Sequence, residues 1–456
     1  MNVSEKKISI IGAAKSGLAA AKTLLAHNAK IFISDTQSDE KLKAILINAN
    51  LDGKVLYEAE KHTDKILDAD YIILSPGVKS DMPILLKAQV KGIPVLGEIE
   101  AAYQMSKGKR IAITGSNGKT TTTTLLSLIC QKHFNKVFLG GNIGIPAMSF
   151  VDETDDDSIQ VLEISSFQLE SIVKFKPDIA VITNFFENHL DRYPDYKAYI
   201  NAKKRIALNM EKNDWIVLNA DQILMREMAN EVRCNIAWFG HNIDSLKPAI
   251  TIKNNIYIYR DSNGIEKELF PVSCAKIPGI HNMENIMCAS MAAILAKIPV
   301  SQIESTIKEF TGVEHRLEFV AKINGVDYIN DSKGTNCAAS IIAMRACNKP
   351  LILIAGGRDK GTDLTDWVNA IRKNCKYTIL YGEAKDRFRS ALEGLVPLKI
   401  AKGFDEALNL AQSVAVKGDT ILLSPACSSY DLFPNFEIRG KHFKELVYKL
   451  KAQSEI

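Results

Sequence analysis

The stretch from residue 110 to residue 131 constrains the fold of this 456-residue chain more than any other. An apolar run (residues 110–114) leads into Gly-Ser-Asn-Gly-Lys-Thr-Thr (residues 115–121), and a segment of helical composition follows (residues 122–131). A strand, a glycine-bearing loop, a Lys-Thr pair and a helix, in this order, are typical of the phosphate-binding P-loop. Glycines let backbone N–H groups turn onto phosphate oxygens, and the helix N-terminus adds partial positive charge. We therefore predict that Lys119 reaches the β- and γ-phosphates and that Thr120 ligates Mg²⁺.

The match to the full pattern G-x-x-x-x-G-K-[ST] is incomplete, because Ile113 occupies the position of the first glycine. An ordinary strand-to-helix turn with a solvated lysine is the alternative interpretation. The apolar run before the loop and the helical segment after it favour a nucleotide site. The residues predicted to contact the nucleotide are Gly115, Ser116, Asn117, Gly118, Lys119, Thr120 and Thr121.

Length and composition limit the class of protein. The chain is too long for one ordinary domain and suggests roughly three. Hydrophobic residues make up 46% and charged residues 24%, which is ordinary for a globular protein. The 57 basic and 53 acidic side chains give a formal charge of +4, too small to favour nucleic-acid binding. No apolar run approaches the roughly 20 residues that a membrane helix needs.

The cysteines and the N-terminus indicate the compartment. The eight cysteines show neither C-x-x-C pairing nor zinc-ligand spacing, and such cysteines are typical of free thiols in a reducing compartment. The chain enters a strand at residues 7–11, and no signal peptide is evident. We expect a cytoplasmic monomer that does not bind nucleic acid or insert into a membrane.

Residues 1–97 have the pattern β-α-β-α. A first strand ends at Gly-Ala-Ala-Lys-Ser-Gly (residues 12–17), and a second strand ends at Asp35-Thr36. A tight turn, a helix N-terminus for a diphosphate and an acid for a sugar hydroxyl are features of dinucleotide-binding domains. Ala14 replaces the middle glycine of G-x-G-x-x-G, which weakens the case for NAD. Two other interpretations of this turn stay open. It binds a diphosphate of another kind, such as that of a nucleotide sugar, or it only packs the helix against the strands.

Several polar residues follow or precede apolar segments in the middle of the chain. Glu163 ends an apolar strand, where a Mg²⁺-coordinating acid is found after a P-loop. His189 lies in a loop, where a lone histidine is either structural or a ligand. Lys203 lies in a basic helical run, and a basic helix face is normally solvated. Asn282 and Asn285 fall in the first turn of a helix, where capping is the alternative to ligand binding.

The remaining segments define the fold class. Residues 250–259 alternate and lead into a turn at residues 261–264, which predicts a hairpin on the flank of a sheet. After residue 313, strands alternate with helices, which predicts a doubly wound parallel sheet. We therefore expect an α/β protein of three domains: a Rossmann-like N-terminal domain (residues 1–97), a central P-loop ATPase domain with a mostly parallel sheet (residues 98–312) and a Rossmann-like C-terminal domain (residues 313–456).

Taken together, these loops resemble the Mur ligases, the ATP-dependent amino-acid-adding enzymes of peptidoglycan synthesis, over nearly the whole chain. The segments that carry the resemblance are residues 114–121, 163–169, 188–193, 279–285, 315–316, 331–336 and 424–440. Within the family, three motifs are most similar to those of the member that adds D-glutamate to UDP-N-acetylmuramoyl-L-alanine. They are E-I-S-S-F-Q-L-E, D-S-K-x-T-N and N-F-E-I-R-G. Gly334 stands where relatives usually have alanine.

The resemblance implies a role for each domain. The UDP-substrate would contact Ser16, Gly17, Asp35, Thr36, Ser75, Pro76, Gly77, Asn142, Ser165 and Gln168. ATP would also contact Asn282, Asn285 and Arg316. Two Mg²⁺ ions would be held by Thr120, Glu163, His189 and a carbamate on Lys203. The catalytic residues would be Lys119, Glu163, His189 and Lys203. D-Glutamate would contact Lys333, Thr335, Lys360, Ser429, Tyr430 and Phe436.

The reaction implied by the resemblance passes through an acyl phosphate, formed from ATP and the L-alanyl carboxylate and then attacked by the amine of D-glutamate. A sister ligase that adds another amino acid is the nearest alternative. Folylpolyglutamate synthase shares the P-loop and the third domain but lacks such a first domain. An NAD-dependent oxidoreductase or a non-catalytic nucleotide switch belongs to another class, and Ala14 argues against the former.

Overall fold

The computed structural model describes residues 1–79, 81–187, 192–277, 279–347, 350–359 and 361–454. Within these residues the strands form three sheets, of five, nine and six strands. The chain divides into two compact units. The first combines Met1–Ala275 with His281–Glu309, and the second combines Lys276–Ile280 with Phe310–Ile456. The predicted α/β class is confirmed, and the domain boundaries at residues 97 and 312 stay predictions.

The first sheet has the order β3-β2-β1-β4-β5, with neighbouring strands parallel. Its elements are β1 (Lys7–Ile11), α1 (Lys15–Ala26), β2 (Lys30–Ser34), α2 (Asp39–Asn48), β3 (Leu56–Glu58), β4 (Tyr71–Leu74), α3 (Pro83–Val90) and β5 (Val95–Gly97). The chain reverses its progress across the sheet between β1 and β4. Open parallel sheets bind ligands in the crevice at such a point, outside the carboxyl ends of the strands.

The second sheet has the order β14-β13-β12-β11-β10-β9-β6-β8-β7. Its elements, with the helix that precedes them, are α4 (Glu98–Met105), β6 (Lys109–Thr114), α5 (Lys119–Gln131), β7 (Val137–Gly141), β8 (Ile159–Glu163), α6 (Ser166–Glu170), β9 (Ile179–Ile182), α7 (Tyr196–Lys204), β10 (Trp215–Asn219), α8 (Ile223–Met228), β11 (Asn235–Phe239), β12 (Ala249–Lys253), β13 (Ile256–Arg260), β14 (Glu266–Pro271), α9 (Ile280–Leu295) and α10 (Val300–Glu309). From β7 at one edge to β12, every pair of neighbouring strands in this order is parallel. The pairs β12–β13 and β13–β14 are antiparallel.

One expectation for this sheet needs correction. Residues 250–259 belong to two strands rather than one. Asn254 and Asn255 form a turn between β12 and β13, with φ of +51° and +60°. Asparagine tolerates this left-handed conformation well, so two adjacent asparagines close a tight hairpin.

The third sheet has the order β15-β16-β20-β17-β18-β19, in which only the pair β15–β16 is antiparallel among the described strands. Its elements are β15 (Glu318–Ile323), β16 (Val326–Asn330), α11 (Cys337–Ala346), β17 (Leu351–Gly356), α12 (Thr365–Asn374), β18 (Cys375–Tyr381), α13 (Lys385–Leu392), β19 (Leu398–Ile400), α14 (Phe404–Val414), β20 (Thr420–Ala426) and α15 (Phe436–Ser454).

The first two sheets are joined through α4. Glu98 accepts a hydrogen bond from the backbone N–H of Met148 at 2.8 Å, and Thr23 donates to the carbonyl oxygen of the same residue at 2.7 Å. Glu100 is fully buried and accepts from the backbone N–H groups of residues 173–175. Two buried glutamate side chains on one short helix thus connect the first sheet to the second through hydrogen bonds.

The strands beneath the P-loop are buried on both faces. Ile111, Ala112 and Ile113 of β6 are at most 2% exposed, which explains the uninterrupted apolar run in the sequence. All eight cysteines lie among the described residues, and all are free. None of the described helices is long and apolar enough to cross a membrane.

Candidate active site

The loop between β6 and α5 requires glycine at two positions. Gly115 has φ of +141° and Gly118 has φ of +79°, both in the region that favours glycine. A Cβ at Gly115 would lie 1.9 Å from Oγ1 of Thr183, and a Cβ at Gly118 would lie 2.1 Å from Oδ1 of Asn285. The loop is therefore enclosed by the side chain of Thr183, directly after β9, and by that of Asn285 in α9, and its backbone conformation is fixed by packing.

The N-terminus of α5 is suited to an anion. Its N-cap residue is Gly118, which has no side chain to cap the first backbone N–H groups of the helix. These N–H groups and the helix dipole favour a phosphate at this place. The helix begins at Lys119, three residues earlier than the composition indicated, so Lys119 and Thr120 both belong to its first turn.

Two lysine side chains converge on this loop. Nζ of Lys119 donates to the carbonyl oxygens of Gly115 and Ser116, both at 2.9 Å. Nζ of Lys203 donates to the same oxygen of Gly115 at 2.7 Å and lies 4.7 Å from the ring centroid of Tyr199. Lys203 is 1% exposed, so the expectation of a solvated basic face fails for this residue. Burial, and then the charge of Lys119, lower the pKa of Lys203 well below its ordinary value.

Glu163 ends β8, directly beside β6 in the sheet. Its Oε1 accepts from the side-chain amide of Asn142 at 2.7 Å, and its Oε2 is buried without a hydrogen-bond partner among the described residues. Glu163 also raises the pKa of Lys203, opposing burial and Lys119. A buried carboxylate oxygen without a donor, beside a phosphate-binding loop, fits a divalent cation.

Few of the described side chains near the P-loop could ligate a metal ion. No group of three or more Cys, His, Asp or Glu side chains that could hold a metal occurs in the part of the chain that the structure describes. Mg²⁺ typically keeps several waters and binds through one or two carboxylates and the phosphates of a substrate, so Glu163 and Thr120 fit such a site. His189 lies outside the described residues, and its role stays a prediction.

Asn285 of α9 contacts the P-loop helix and holds Asn282 of the same helix by a hydrogen bond. Asn285 accepts a hydrogen bond from Oγ1 of Thr122 at 3.3 Å and donates to Oδ1 of Asn282 at 3.1 Å. Both asparagines are at most 7% exposed. Packing against Gly118 and α5 therefore accounts for the burial of Asn285.

The loops after β1, β2 and β4 converge at the crevice of the first sheet. Asp35 accepts from the backbone N–H of Ala13 at 2.6 Å, and Ser75 donates to the carbonyl oxygen of Gly12 at 2.8 Å. A Cβ at Gly17 would lie 1.9 Å from that same carbonyl oxygen, so this helix start also requires glycine. Of the predicted residues, Asp35, Thr36, Ser75, Pro76 and Gly77 belong to the loops after β2 and β4. Ser16 and Gly17 lie in the first turn of α1, directly after the loop that follows β1.

A pocket extends from this crevice towards the second sheet. Ser75 and Pro76 line it from one side, and Gln168 from the other. Gln168 forms a capping box with Ser165 at the start of α6, and its Nε2 is buried without a partner among the described residues. Arg192, a residue not predicted from the sequence, donates to the carbonyl oxygens of residues 77 and 78 and lies 4.1 Å from the ring centroid of Phe167.

Predicted acceptor residues in the second compact unit lie on two linked loops. Ser332, next to Lys333, donates to the carbonyl oxygen of Phe436 at 2.8 Å. Arg439 is fully buried and donates to the carbonyl oxygens of Ser332 and Cys427, at 2.8 and 3.1 Å. Among the other predicted residues, Ser429 is buried, Thr335 is half-buried and Tyr430 is 65% exposed. Lys360 lies outside the described residues.

The second compact unit also contains two charged residues that interact, Asp331 and Arg316. Asp331 is buried, and burial raises its pKa to about 6 even though Ser424 and Arg316 oppose the shift. Nε of Arg316 is buried without a hydrogen-bond partner among the described residues. His315 and Leu317, on either side of Arg316, have φ of +65° and +47°. Strained backbone of this kind is often found at functional sites.

Sequence reasoning missed Arg439 and Asp331 as individual site residues. Both occur in motifs that were recognised, N-F-E-I-R-G and D-S-K-x-T-N. Their importance depends on burial and on partners far away in the chain, which a motif does not reveal.

Family models match the chain along most of its length. The Mur ligase MurD-like N-terminal domain matches residues 6–97, the Mur ligase middle domain residues 113–293 and the Mur ligase glutamate ligase domain residues 315–427. The chain belongs to the Mur ligase family.

Two curated relatives are named UDP-N-acetylmuramoylalanine–D-glutamate ligase. The protein of Koribacter versatilis is 41% identical, covering 100% of both chains. The protein of Acidobacterium capsulatum is 40% identical, covering 98% of this chain and 97% of its own. The solved UDP-N-acetylmuramate–alanine ligase of Thermotoga maritima is 17% identical, with a TM-score of 0.60 over 97% of this chain and 99% of its own, and supports the fold.

Proposed function

We propose that this chain is an ATP-dependent ligase that joins D-glutamate to UDP-N-acetylmuramoyl-L-alanine during the cytoplasmic synthesis of peptidoglycan precursors. Two observations support the substrates: the names of relatives that match over the full length, and a diphosphate-type crevice in the first sheet. The convergence of Lys119 and Lys203 on one P-loop oxygen, with Glu163 ending the neighbouring strand, carries the proposal of phosphoryl transfer.

In the first step, a carboxylate oxygen of the L-alanyl group attacks the γ-phosphorus of ATP. The bond between that phosphorus and the β,γ-bridging oxygen breaks, which yields an acyl phosphate and ADP. Two anions must meet, so positive charge has to offset their repulsion. Lys119 would turn from the carbonyl oxygens of Gly115 and Ser116 to the phosphates, and the N–H groups of α5 would hold them.

In the second step, the unprotonated amine of D-glutamate attacks the acyl carbon. An amide bond forms, inorganic phosphate leaves and the nitrogen loses a proton. The acceptor would be bound by Lys333, Thr335, Lys360, Ser429, Tyr430 and Phe436, and the two lysines among them suit a dicarboxylate. Arg439 would act on this site only indirectly, by holding the loops of Ser332 and Cys427 together.

Metal binding belongs to the same proposal. Thr120, Glu163, His189 and a carbamate on Lys203 would hold two Mg²⁺ ions, which neutralise phosphate charge when bound. The carbamate forms when the neutral amine of Lys203 adds to the carbon of CO₂ and releases a proton. The lowered pKa of Lys203, caused first by burial and then by Lys119, supports this reaction because only the unprotonated amine is nucleophilic.

Phosphate release from ATP in the presence of UDP-N-acetylmuramoyl-L-alanine tests the function directly. The purified chain is supplied in turn with D-glutamate, L-glutamate, L-alanine and a diamino acid. We expect release with D-glutamate only. Release with L-alanine or a diamino acid would identify a sister ligase, and release without any amino acid would indicate a nucleotide-hydrolysing switch.

A further inference from the structure

A polar cluster at the carboxyl ends of β2 and β3 has no part in the reaction described above. Ser34 is fully buried, and its hydroxyl donates to Oε1 of Glu58 at 2.7 Å. Nδ1 of the half-buried His62 lies 2.7 Å from the same hydroxyl oxygen. Thr63 donates to Glu58 through both its backbone N–H and its hydroxyl, at 2.9 and 2.5 Å.

Glu58 is held in its ionised form. Burial alone would raise its pKa, but the hydrogen bonds from Thr63 and Ser34 outweigh burial, and the pKa is lowered from its ordinary value. An ionised carboxylate only accepts hydrogen bonds. The single proton of the Ser34 hydroxyl is therefore committed to Glu58.

This assignment fixes the tautomer of His62. Because the hydroxyl proton of Ser34 points to Glu58, the hydroxyl oxygen can only accept in its contact with His62. The carbonyl oxygen of Lys61, at 3.5 Å from the same hydroxyl, is too distant to compete. Nδ1 of the neutral imidazole thus carries the proton, and Nε2 presents a lone pair. Nε2 has no hydrogen-bond partner among the described residues.

The position of His62 in the fold suggests what Nε2 meets. In open sheets of this order, a nucleotide places its phosphates at the loop after β1 and its ribose at the end of β2. Asp35 stands at the end of β2 and accepts from the backbone N–H of Ala13 in the loop after β1. The backbone N–H of Asp35 donates to the carbonyl oxygen of Glu58, so the strand ends of β2 and β3 are adjacent. The base then lies beyond the ribose, towards β3 and His62.

We propose that His62 is a specificity residue for the base of the nucleotide-sugar substrate, accepting a hydrogen bond on Nε2 from the N3–H group of uracil. This inference rests on the proposed function, which supplies the uridine nucleotide. Ser34 and Glu58 are positioning residues that hold the imidazole in the accepting tautomer. Cytosine has a lone pair instead of a hydrogen at N3, so His62 would reject a cytidine nucleotide.

Binding of UDP, CDP and N3-methyl-UDP to the full-length chain, measured by calorimetry at pH 8, tests the inference. The wild-type chain should bind UDP at least tenfold more tightly than either analogue, in line with the loss of about one buried hydrogen bond. His62→Ala should reduce both affinity ratios about tenfold. His62→Gln, which keeps an acceptor, should retain more of the discrimination than His62→Ala. The control Lys61→Ala changes an exposed neighbour and should leave the ratios unchanged.

The outcomes separate this inference from the proposed function. If His62→Ala weakens the binding of UDP, CDP and N3-methyl-UDP equally, His62 only organises its loop and the inference is overturned. The proposed function still stands in that case if the wild-type chain turns over with D-glutamate. If the wild-type chain does not bind UDP, the proposed function itself fails. Ser34→Ala provides a second variant, which should lower the UDP to N3-methyl-UDP ratio with the imidazole still present.

Discussion

Lys119 and Lys203 donate to the same carbonyl oxygen, that of Gly115, at 2.9 and 2.7 Å. Their nitrogens are therefore only a few ångströms apart, and two ammonium groups at such a distance repel each other. Burial of Lys203, and then this repulsion, lower the pKa of its amine well below the ordinary value. Two amines thus meet at one oxygen of the P-loop, and burial disfavours the charged form of the one on Lys203. This relationship links phosphate binding to the chemistry of Lys203.

Lys119→Ala should lower kcat by on the order of 10²–10³, because a well-placed cation is lost where negative charges meet. Affinity for the UDP-substrate, measured by calorimetry without ATP, should stay the same. Lys132→Ala is the matched control, since Lys132 follows the same helix and pairs with Glu309 at the surface. Turnover near the wild-type rate in Lys119→Ala would show that this lysine does not serve the reaction.

Lys203 should carry a carbamate when the chain is supplied with ¹³C-labelled CO₂. A carbamate carbon signal is expected in the NMR spectrum of the wild-type chain, and Lys203→Arg should lack it because a guanidinium stays protonated. Lys197→Arg, on the exposed face of α7, should keep the signal. A signal that survives in Lys203→Arg would assign the modification to another residue.

Glu98 should make the stability of the chain depend on pH. Burial raises its pKa to about 7, despite hydrogen bonds from the backbone N–H groups of Met148 and Ala147. The folded state then holds a proton that the unfolded state loses near its ordinary pKa, so stability falls as pH rises from about 4.5 to about 7. The shift corresponds to about 3 kcal/mol.

Glu98→Gln removes this titration. Between pH 5 and pH 8, thermal unfolding should show the wild-type chain losing stability relative to Glu98→Gln. Glu153→Gln, at an exposed position, serves as the control and should follow the wild-type chain. If the difference in thermal stability between wild type and Glu98→Gln is the same at pH 5 and at pH 8, the raised pKa of Glu98 is contradicted.

Gly334 makes room for the carboxylate of Asp331. A Cβ at this position would lie 2.4 Å from Oδ2 of Asp331 and 2.8 Å from Oγ of Ser424, which donates to that carboxylate. Gly334→Ala should therefore break this hydrogen bond and destabilise the chain by about 1–3 kcal/mol. Ser424→Ala should cost much less in the Gly334→Ala background than alone. Additive effects in thermal unfolding would show that the two positions are independent.

Much of the fold could be predicted from local pattern. The apolar run of β6 and the glycine-bearing loop predicted a strand, a turn and a helix, because burial on both faces and left-handed glycines leave direct marks in the sequence. The Asn254-Asn255 turn was missed, since alternation continued across it and the more prominent turn at residues 261–264 attracted the prediction.

The electrostatics of the site could not be predicted in the same way. Lys203 is buried because α7 packs beneath a loop 88 positions away in the chain, and a basic run gives no sign of that contact. The burial of Arg439 likewise depends on loops near residues 332 and 427. Tertiary packing decides which lysine or arginine is solvated, so such residues emerge only from the folded chain.

The placement of a triphosphate tests the central claim most directly. We expect a crystal structure with a non-hydrolysable ATP analogue and Mg²⁺ to show the β- and γ-phosphates against residues 114–121, with Nζ of Lys119 moved from the carbonyl oxygen of Gly115 to the phosphates. An analogue bound elsewhere, with Lys119 still donating to Gly115, would contradict the account.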